Sequence, residues 1–428
     1  MKGDEAEGQV SRIISKMTAT AFMFRCLFLI STITVGVKCD DQIRNVTITY
    51  NDGCDIPECK GGNGTFYNLI HFQAKGPTDT IHHVWCSIGS PSLLVARTTK
   101  TATMKVDWKN AIARKGGAIT FTPKEDVLSV SAFVMSRLLE YDDEKDTADI
   151  TKVNVTRTVD ISDLMWSNVT INSTEKSALF KTVPGMEPAA DNGSLTLKVQ
   201  SLGAEGRSKN LPHLQHMPNT TEFSLILDSL QMNYMKPRFA LEMLIVRDQQ
   251  TSKKSGITLE DKPSIDDEYT PAVFKTYQVL LNGTSKSDRG SFMQWKPIAY
   301  TSADRNTEAS SPIKTYAVNF TNHYMSSYSI AHAYFGNLSD YDLGSFNISF
   351  GIGKDGFYNA TKYYAWNSVT GYGTPPSDGL SILIISIISV GLGIPVILII
   401  FGGVIVACQK RIALRKANSL TKYTSING

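Results

Sequence analysis

The chain has 428 residues, 42% of them hydrophobic and 19% charged, with a mean hydropathy of −0.12. That balance suits a folded protein of two or three domains and excludes both a wholly disordered chain and a polytopic transporter. Charge is unevenly placed: residues 1–39 hold five basic and three acidic side chains and residues 380–428 five basic and none acidic, so a net charge of +3 leaves −4 on the middle, the wrong sign for a nucleic-acid binder.

Residues 21–37 (AFMFRCLFLISTITVGV) are apolar apart from Arg25 and end in small residues. That is the core and cleavage region of a signal peptide, so residues 1–37 read as a leader, cut after Gly36 or Cys39. The stretch before it is long and partly acidic, which makes Met17 or Met23 an alternative start. An uncleaved anchor is the competing reading.

From residue 40 onward the strongest pattern is Asn-x-Ser/Thr without proline at x. It occurs at Asn45, Asn63, Asn154, Asn168, Asn172, Asn192, Asn219, Asn282, Asn319, Asn337, Asn347 and Asn359, and nowhere in the leader or after residue 379. One such triplet is weak; twelve confined to one segment mark a chain that is N-glycosylated in the secretory pathway. At six of them x is a large apolar residue, as in Phe346-Asn347-Ile348-Ser349-Phe350. On a strand, Asn and the hydroxyl residue two positions on share one face while x points the other way. Asn347, and Asn45 in Asn45-Val46-Thr47-Ile48-Thr49, are thus expected outside a sheet whose apolar face is buried. The Asn-Gly pairs at 63, 192 and 282 are turn signals.

Short alternating runs recur: Val153/Val155, Leu195/Leu197/Val199 and Phe239/Leu241/Met243/Ile245. Residues 92–96 and 127–134 read as buried strands, and 107–114 as a short helix. The expected fold is all-β: two antiparallel β-sandwich-like domains, 40–185 and 190–376, joined near 182–193 or, alternatively, near 201–219. Cys39, Cys54, Cys59 and Cys86 are the disulfide candidates of an oxidising compartment. Four cysteines allow three pairings; Cys54 and Cys59 close a short loop around Pro57.

Signals of chemistry are few. Residues 351–356 (GIGKDG) match GxGxxG, but an aromatic-rich stretch with a sequon follows, so a hairpin turn is expected rather than a dinucleotide site. His82-His83 and His213-x-x-His216 lack carboxylate or cysteine partners at ligand spacing and read as loop or satisfied histidines, so no metal or other cofactor is expected. The acidic run 140–144 reads as solvated charge. Asp266, Asp267 and Glu268, followed by Tyr269, read as a turn or an ion pair; a hydrolase working through two carboxylates is the alternative. Aromatic residues crowd positions 357–372, where they read as a mixture of core and membrane-proximal side chains.

Residues 379–409 run without a charge, and roughly 20 helical residues cross a ~30 Å hydrocarbon core. A transmembrane helix is therefore expected over 380–407, with the small residues Gly391, Gly393, Gly402 and Gly403 available for a partner helix. Lys410, Arg411, Arg415, Lys416 and Lys422 follow, which places 408–428 in the cytosol and 40–376 on the lumenal side, a single-pass type I arrangement. Tyr423 and Ile426 have the Tyr-x-x-apolar form that binds a clathrin adaptor as an extended peptide and sorts cargo to endosomes and lysosomes. Cys408 stands at the membrane edge.

The stretches 84–96 (VWCSIGSPSLLVA), 136–141 (SRLLEY), 264–274 (SIDDEYTPAVF), 295–300 (WKPIAY), 346–351 (FNISFG), 364–366 with 373–381, and 422–427 resemble the glycosylated lysosomal membrane protein family. The resemblance implies a non-catalytic lysosomal membrane glycoprotein, accessory subunit to a major-facilitator transporter that moves dipeptides. It implies that the glycosylated lumenal part shields that partner from lysosomal proteases, with no small-molecule substrate of its own. It assigns no role to the motif at Asp266–Tyr269, and it does not extend to disulfides, since all the lumenal cysteines here precede residue 87. A membrane-tethered acid hydrolase and a cell-surface receptor or adhesion protein remain the alternatives. In an acidic lumen the seven histidines, each within 40–376, are expected to be largely protonated.

Overall fold

The structure, a computed structural model, describes residues 43–61, 66–154, 156–186, 188–248, 256–265, 270–282, 289–320, 328–377 and 382–424. Alternating apolar side chains place it in the all-β class. β1 (Asn45–Tyr50), β2 (Leu69–Lys75), β3 (Asp79–Cys86) and β4 (Ser92–Thr99) form an antiparallel meander. The chain leaves it for the hairpin of β5 (Thr103–Val106) and β6 (Ile119–Thr122), with α1 (Trp108–Ile112) between them. Asp107 caps α1: its carboxylate accepts the Asn110 N–H at 3.0 Å. β7 (Val127–Asp142) then pairs with β4 through its first half and with β8 (Thr156–Asp160) through its second.

A second meander follows, of β9 (Thr170–Asn172), β10 (Ser177–Lys181), β11 (Ala189–Gln200) and β14 (Thr220–Leu230). The excursion between its last two strands holds the two-residue pairing of β12 (Gly206–Arg207) with β13 (Gln215–His216). β15 (Pro237–Arg247) returns to the free edge of β7, while β16 (Ile257–Pro263), β17 (Lys275–Asn282) and β18 (Arg289–Trp295) extend the second layer. β19 (Ile298–Tyr300) and β20 (Ser310–Thr315) lead to α2 (Ile330–Phe335) and β21 (Asp342–Phe350). After α3 (Phe357–Thr361), β22 (Tyr363–Tyr372) pairs with β14 on one side and with β18 and β19 on the other. α4 (Ile382–Thr424) ends the described chain.

Two antiparallel layers result. One runs β1-β2-β3-β4-β7-β15-β21-β20 and the other β9-β10-β11-β14-β22-β18-β17-β16, joined where β20 bonds to both β19 and β21. Phe72, Trp85, Phe133, Leu241 and Phe346 of the first layer meet Leu197, Phe223, Trp295 and Trp366 of the second in one core. The Trp366 ring lies 5.4 Å from Phe223 and 5.9 Å from Trp295. Each such burial is worth about 1.5–3 kcal/mol. A second core covers the outer face of the first layer, where Trp108, Ile119, Phe121 and Ile330 pack on Val84, Leu94 and Val130. β3 is buried along its whole length for that reason.

Segments 40–185 and 190–376 interleave in these layers: β15 is bonded to β7 in one, and β14 follows β11 in the other. Residues 182–193 run from the end of β10 into the first residues of β11, two strands that pair with each other, and Thr182 N–H bonds to Leu195 O at 3.0 Å. β8 begins at Thr156; of the 153/155 alternation, Val153 stands before it and Val155 lies outside the described residues. Of the aromatic residues at 357–372, Tyr358, Tyr364 and Trp366 are core, and Tyr372 lies under the Arg97 guanidinium at 5.2 Å.

Candidate functional site

Most of the described sequon asparagines stand outside the layers. Asn45, on the edge strand β1, is exposed while Val46 beside it is buried. Asn154, Asn168, Asn172, Asn192, Asn282, Asn319, Asn337 and Asn359 are exposed too, on edges, bulges and loops of both layers. At Asn172 the side-chain oxygen accepts the Thr174 and Glu175 N–H groups at 3.1 and 3.0 Å; at Asn337 it accepts that of Ser339 at 3.2 Å. These local turns occupy the oxygen and leave the amide nitrogen, the atom that carries a glycan, pointing away. Asn347 is half-buried in mid-strand, with Phe346, Ile348 and Phe350 on the core side as the alternation requires. Asn63 lies outside the described residues.

Asn219 differs. It is half-buried just before β14, and its Nδ2 donates to the Tyr372 carbonyl. Asn359 Nδ2 likewise donates to Met235 O, at 2.9 Å, but from an exposed side chain; the half-buried Asn219 leaves less room for a sugar on its nitrogen and is expected to show lower occupancy than the exposed sequons in glycopeptide mass spectrometry.

The carboxylates at 140–144 are not a solvated run. Glu140 is buried and accepts from Arg157 at 3.3 Å and from the Asn233 N–H. Asp143 is fully buried and accepts from Arg238 Nε at 2.7 Å. The Arg238 guanidinium, itself buried, also meets Asp146 at 2.8 Å and Asp355 at 2.9 Å, over the ring of Phe357. Burial works to raise Asp143 and Asp355. The N–H groups of Thr147 and Ala148 at Asp143, those of Ile352 and Phe357 at Asp355, and Arg238 at both outweigh it and hold the two carboxyls below the usual range. These groups are committed to a structural cation, an arrangement that leaves no proton for general acid work at neutral or mildly acidic pH.

Asp355 belongs to the Gly351–Gly356 loop, which is a turn. Its N–H groups are spent within the chain: Ile352 on Asp355, Lys354 on Asp146 and Phe357 on Asp355. The five-residue α3 that follows leads into an antiparallel strand, not a βαβ unit. Asp266, Asp267, Glu268 and Tyr269 lie outside the described residues. The chain on either side is tied down, with Ser264 N–H on Phe274 O at 2.8 Å and Thr270 Oγ1 on Pro212 O at 2.8 Å.

His82-His83 are core residues of β3, not loop residues. His71 Nε2, His82 and Thr98 form a chain with contacts of 2.9 Å each, and the Thr98 hydroxyl donates onward to the Thr99 carbonyl. That direction makes Thr98 the acceptor for His82 Nε2–H, so His82 Nδ1 accepts from His71 and both rings are neutral. Burial lowers His71 to about 4. Burial, then the neighbouring charges of His71, His83 and Lys75, lowers His82 to about 2. His83 faces the interlayer core, and burial brings it to about 3 against the opposing pull of the Asn219 main chain. These three stay neutral at mildly acidic pH, which corrects the expectation of a largely protonated set. Among the described residues no cluster of three or more His, Cys, Asp or Glu side chains is gathered to hold a metal.

Cys54 and Cys59 are joined in a disulfide, Cα–Cα 6.5 Å. Cys86 is not a disulfide partner: it is a free, buried thiol raised to about 12 by burial, and Cys39 lies outside the described residues. Within α4, residues Ile385–Ala417 form a 33-residue stretch long and apolar enough to cross a membrane, none of it covered by the rest of the chain. The helix continues past 407 to Thr424, so Tyr423 sits in its last turn; Ile426 lies outside the described residues. Sequence reasoning missed Arg238, because its partners are 95 and 117 residues away and no local spacing announces them.

Residues 68–413 match the family profile of glycosylated lysosomal membrane protein. The chain is similar to glycosylated lysosomal membrane protein A of Xenopus laevis, 33% identical over 90% of this chain and 96% of that one. It is also similar to glycosylated lysosomal membrane protein of Danio rerio (34%, covering 90% and 92%) and of Homo sapiens (29%, covering 85% and 88%).

Proposed function

The chain belongs to the glycosylated lysosomal membrane protein family, and on that premise we propose that it is a non-catalytic accessory subunit that shields a major-facilitator lysosomal dipeptide transporter from proteolysis. The observation that carries this reading is the spread of exposed sequon asparagines over both layers, from β1 at one edge to the β11 bulge and the α3 end. A glycan at each covers backbone that a protease would need in extended form. The buried carboxylates, tied to Arg157 and Arg238, support a structural rather than a catalytic use of charge. The leader and the basic residues after α4 put the glycosylated bulk in the lumen, type I, with the helix and the lumenal domain both available to the partner. Tyr423 and Ile426 address the protein to lysosomes through a clathrin adaptor. Catalysis at Asp266, Asp267 or Glu268 rests on residues outside the described ones, and no observation favours it.

Purification from lysosomal membranes in mild detergent is expected to bring down a multispanning transporter. Replacing the sequon asparagines of both layers by Gln is expected to shorten that partner's lysosomal half-life several-fold while its synthesis is unchanged. A partner whose level is indifferent to loss of this protein refutes the reading.

A further inference from the structure

The outer face of the second layer is open where that of the first is covered. A cleft of about 480 Å³ lies there, between the β11–β14 surface, the excursion of residues 204–216 and the segment around Arg305. That volume is within the range of small-molecule sites. None of the sequon asparagines lines it.

Its wall carries two opposite charges that do not pair with each other. Arg305 Nη1 donates to Leu211 O at 3.1 Å and to Asn367 Oδ1 at 2.7 Å, and Nη2 to Ser224 Oγ at 2.6 Å; every one of these acceptors is neutral. Glu222 accepts from Asn367 Nδ2 at 2.9 Å and from the Ser208 hydroxyl, both neutral donors. Neither has a partner of opposite charge within ion-pair distance among the described residues. One buried carboxamide, that of Asn367, therefore separates a guanidinium from a carboxylate, with its oxygen on one and its nitrogen on the other. Burial lowers the Arg305 pKa and outweighs the opposing pull of Tyr363, Glu222 and Tyr300, of which Glu222 alone is charged at neutral pH, so its charge is poorly compensated in the protein alone. A partly desolvated cation and anion of this kind are stabilised by a counter-charge supplied to each. An anion alone meets repulsion from Glu222, and a cation alone meets Arg305.

We propose that this cleft binds a free α-amino acid, its carboxylate on Arg305 and its ammonium on Glu222. An α-amino acid carries both charges on one carbon, so a single molecule reaches both groups with one hydrogen bond to each, across a gap of two hydrogen bonds and one amide. The half-exposed Leu202 and the stems of Lys198 and Arg207 line the remaining space and receive the ligand's side chain.

The test uses the full glycosylated protein in detergent, with L-leucine, L-glutamine and L-lysine as probes in titration calorimetry. N-acetyl-leucine, which lacks the ammonium, and leucinamide, which lacks the carboxylate, are the controls. At least one amino acid is expected to bind, with each control at least tenfold weaker than leucine. Glu222→Gln, which keeps the shape and one acceptor, is expected to weaken the amino acid at least tenfold and to bind N-acetyl-leucine at least as well as the wild type does, since the repelling carboxylate is gone. Arg305→Lys is expected to weaken both. The proposal falls if none of the three amino acids binds, if the controls bind as well as leucine, or if Glu222→Gln leaves the amino-acid affinity intact.

Discussion

Replacing Arg238 by Met is expected to destabilise the β-rich fold by about 3–5 kcal/mol, the cost of leaving a buried charge without its partner. Arg238 joins two loops far apart in the sequence. Asp143 and Asp146 turn the 143–148 segment around its guanidinium, Asp355 does the same for 351–357, and Nη2 also donates to Ile352 O at 2.7 Å. Asp146 accepts the Lys354 N–H at 2.9 Å, so the loops also bond to each other across the cation. With Met, Asp143 must either protonate or open its loop to water. Lys restores the charge but not the fork, and is expected to recover only part of the loss. The pH dependence distinguishes this from lost packing. Asp143 and Asp355 have folded values below their unfolded ones, so their contribution is complete above about pH 4 and is lost as pH falls through the folded values. The gap between wild type and Arg238→Met, measured by urea unfolding, should narrow as pH falls, first where the unpaired Asp143 takes up a proton in the variant and further below pH 4, where the wild type loses its own contribution. A gap under about 1 kcal/mol at pH 6, or one that does not narrow in acid, contradicts the buried-network account.

The alternation in β1 and β11 was legible because a strand with one wetter face writes its period into the sequence. That signal fails where both faces are dry. β3 is buried on one side by the second layer and on the other by Phe121, so His82-His83 interrupts an otherwise apolar strand and mimics a loop. The same limit hid the charge network. Glu140 and Asp143 sit in a run of acidic residues, the usual mark of solvent, and only a contact 95 residues away in sequence makes Asp143 part of the interior. Strand pairing explains the interleaving of the two halves. β15 seeks the long free edge of β7, and pairing along eleven residues outweighs the loop closure it requires. The sequon pattern, in contrast, is local chemistry and was readable triplet by triplet. The cleft around Arg305 was invisible because its groups come from β14, β22 and a loop between β19 and β20.

Acid is expected to weaken the fold well before the aspartates protonate, and three histidines are the reason. His71, His82 and His83 have folded values of about 4, 2 and 3, all below the unfolded value of about 6.5. Between those limits the unfolded chain binds more protons than the folded one, so stability rises with pH and falls on acidification. Each histidine loses about 1.4 kcal/mol per pH unit at full effect, or about 2 kcal/mol by pH 5. The window is opposite in position to that of Asp143 and Asp355, which act below pH 4. His83 gives the cleanest test, because neither of its ring nitrogens makes a hydrogen bond of good geometry among the described residues, so an apolar replacement forfeits none. His83→Leu is expected to be near neutral at pH 7.5 and stabilising by about 2 kcal/mol at pH 5, with a smaller fall in thermal midpoint between the two. His82→Gln is expected to flatten the pH dependence as well, but at a cost in stability at pH 7.5, because it breaks the ordered chain from His71 to Thr98. If the midpoint of His83→Leu falls with acid as steeply as that of wild type, His83 is not held neutral in the folded state.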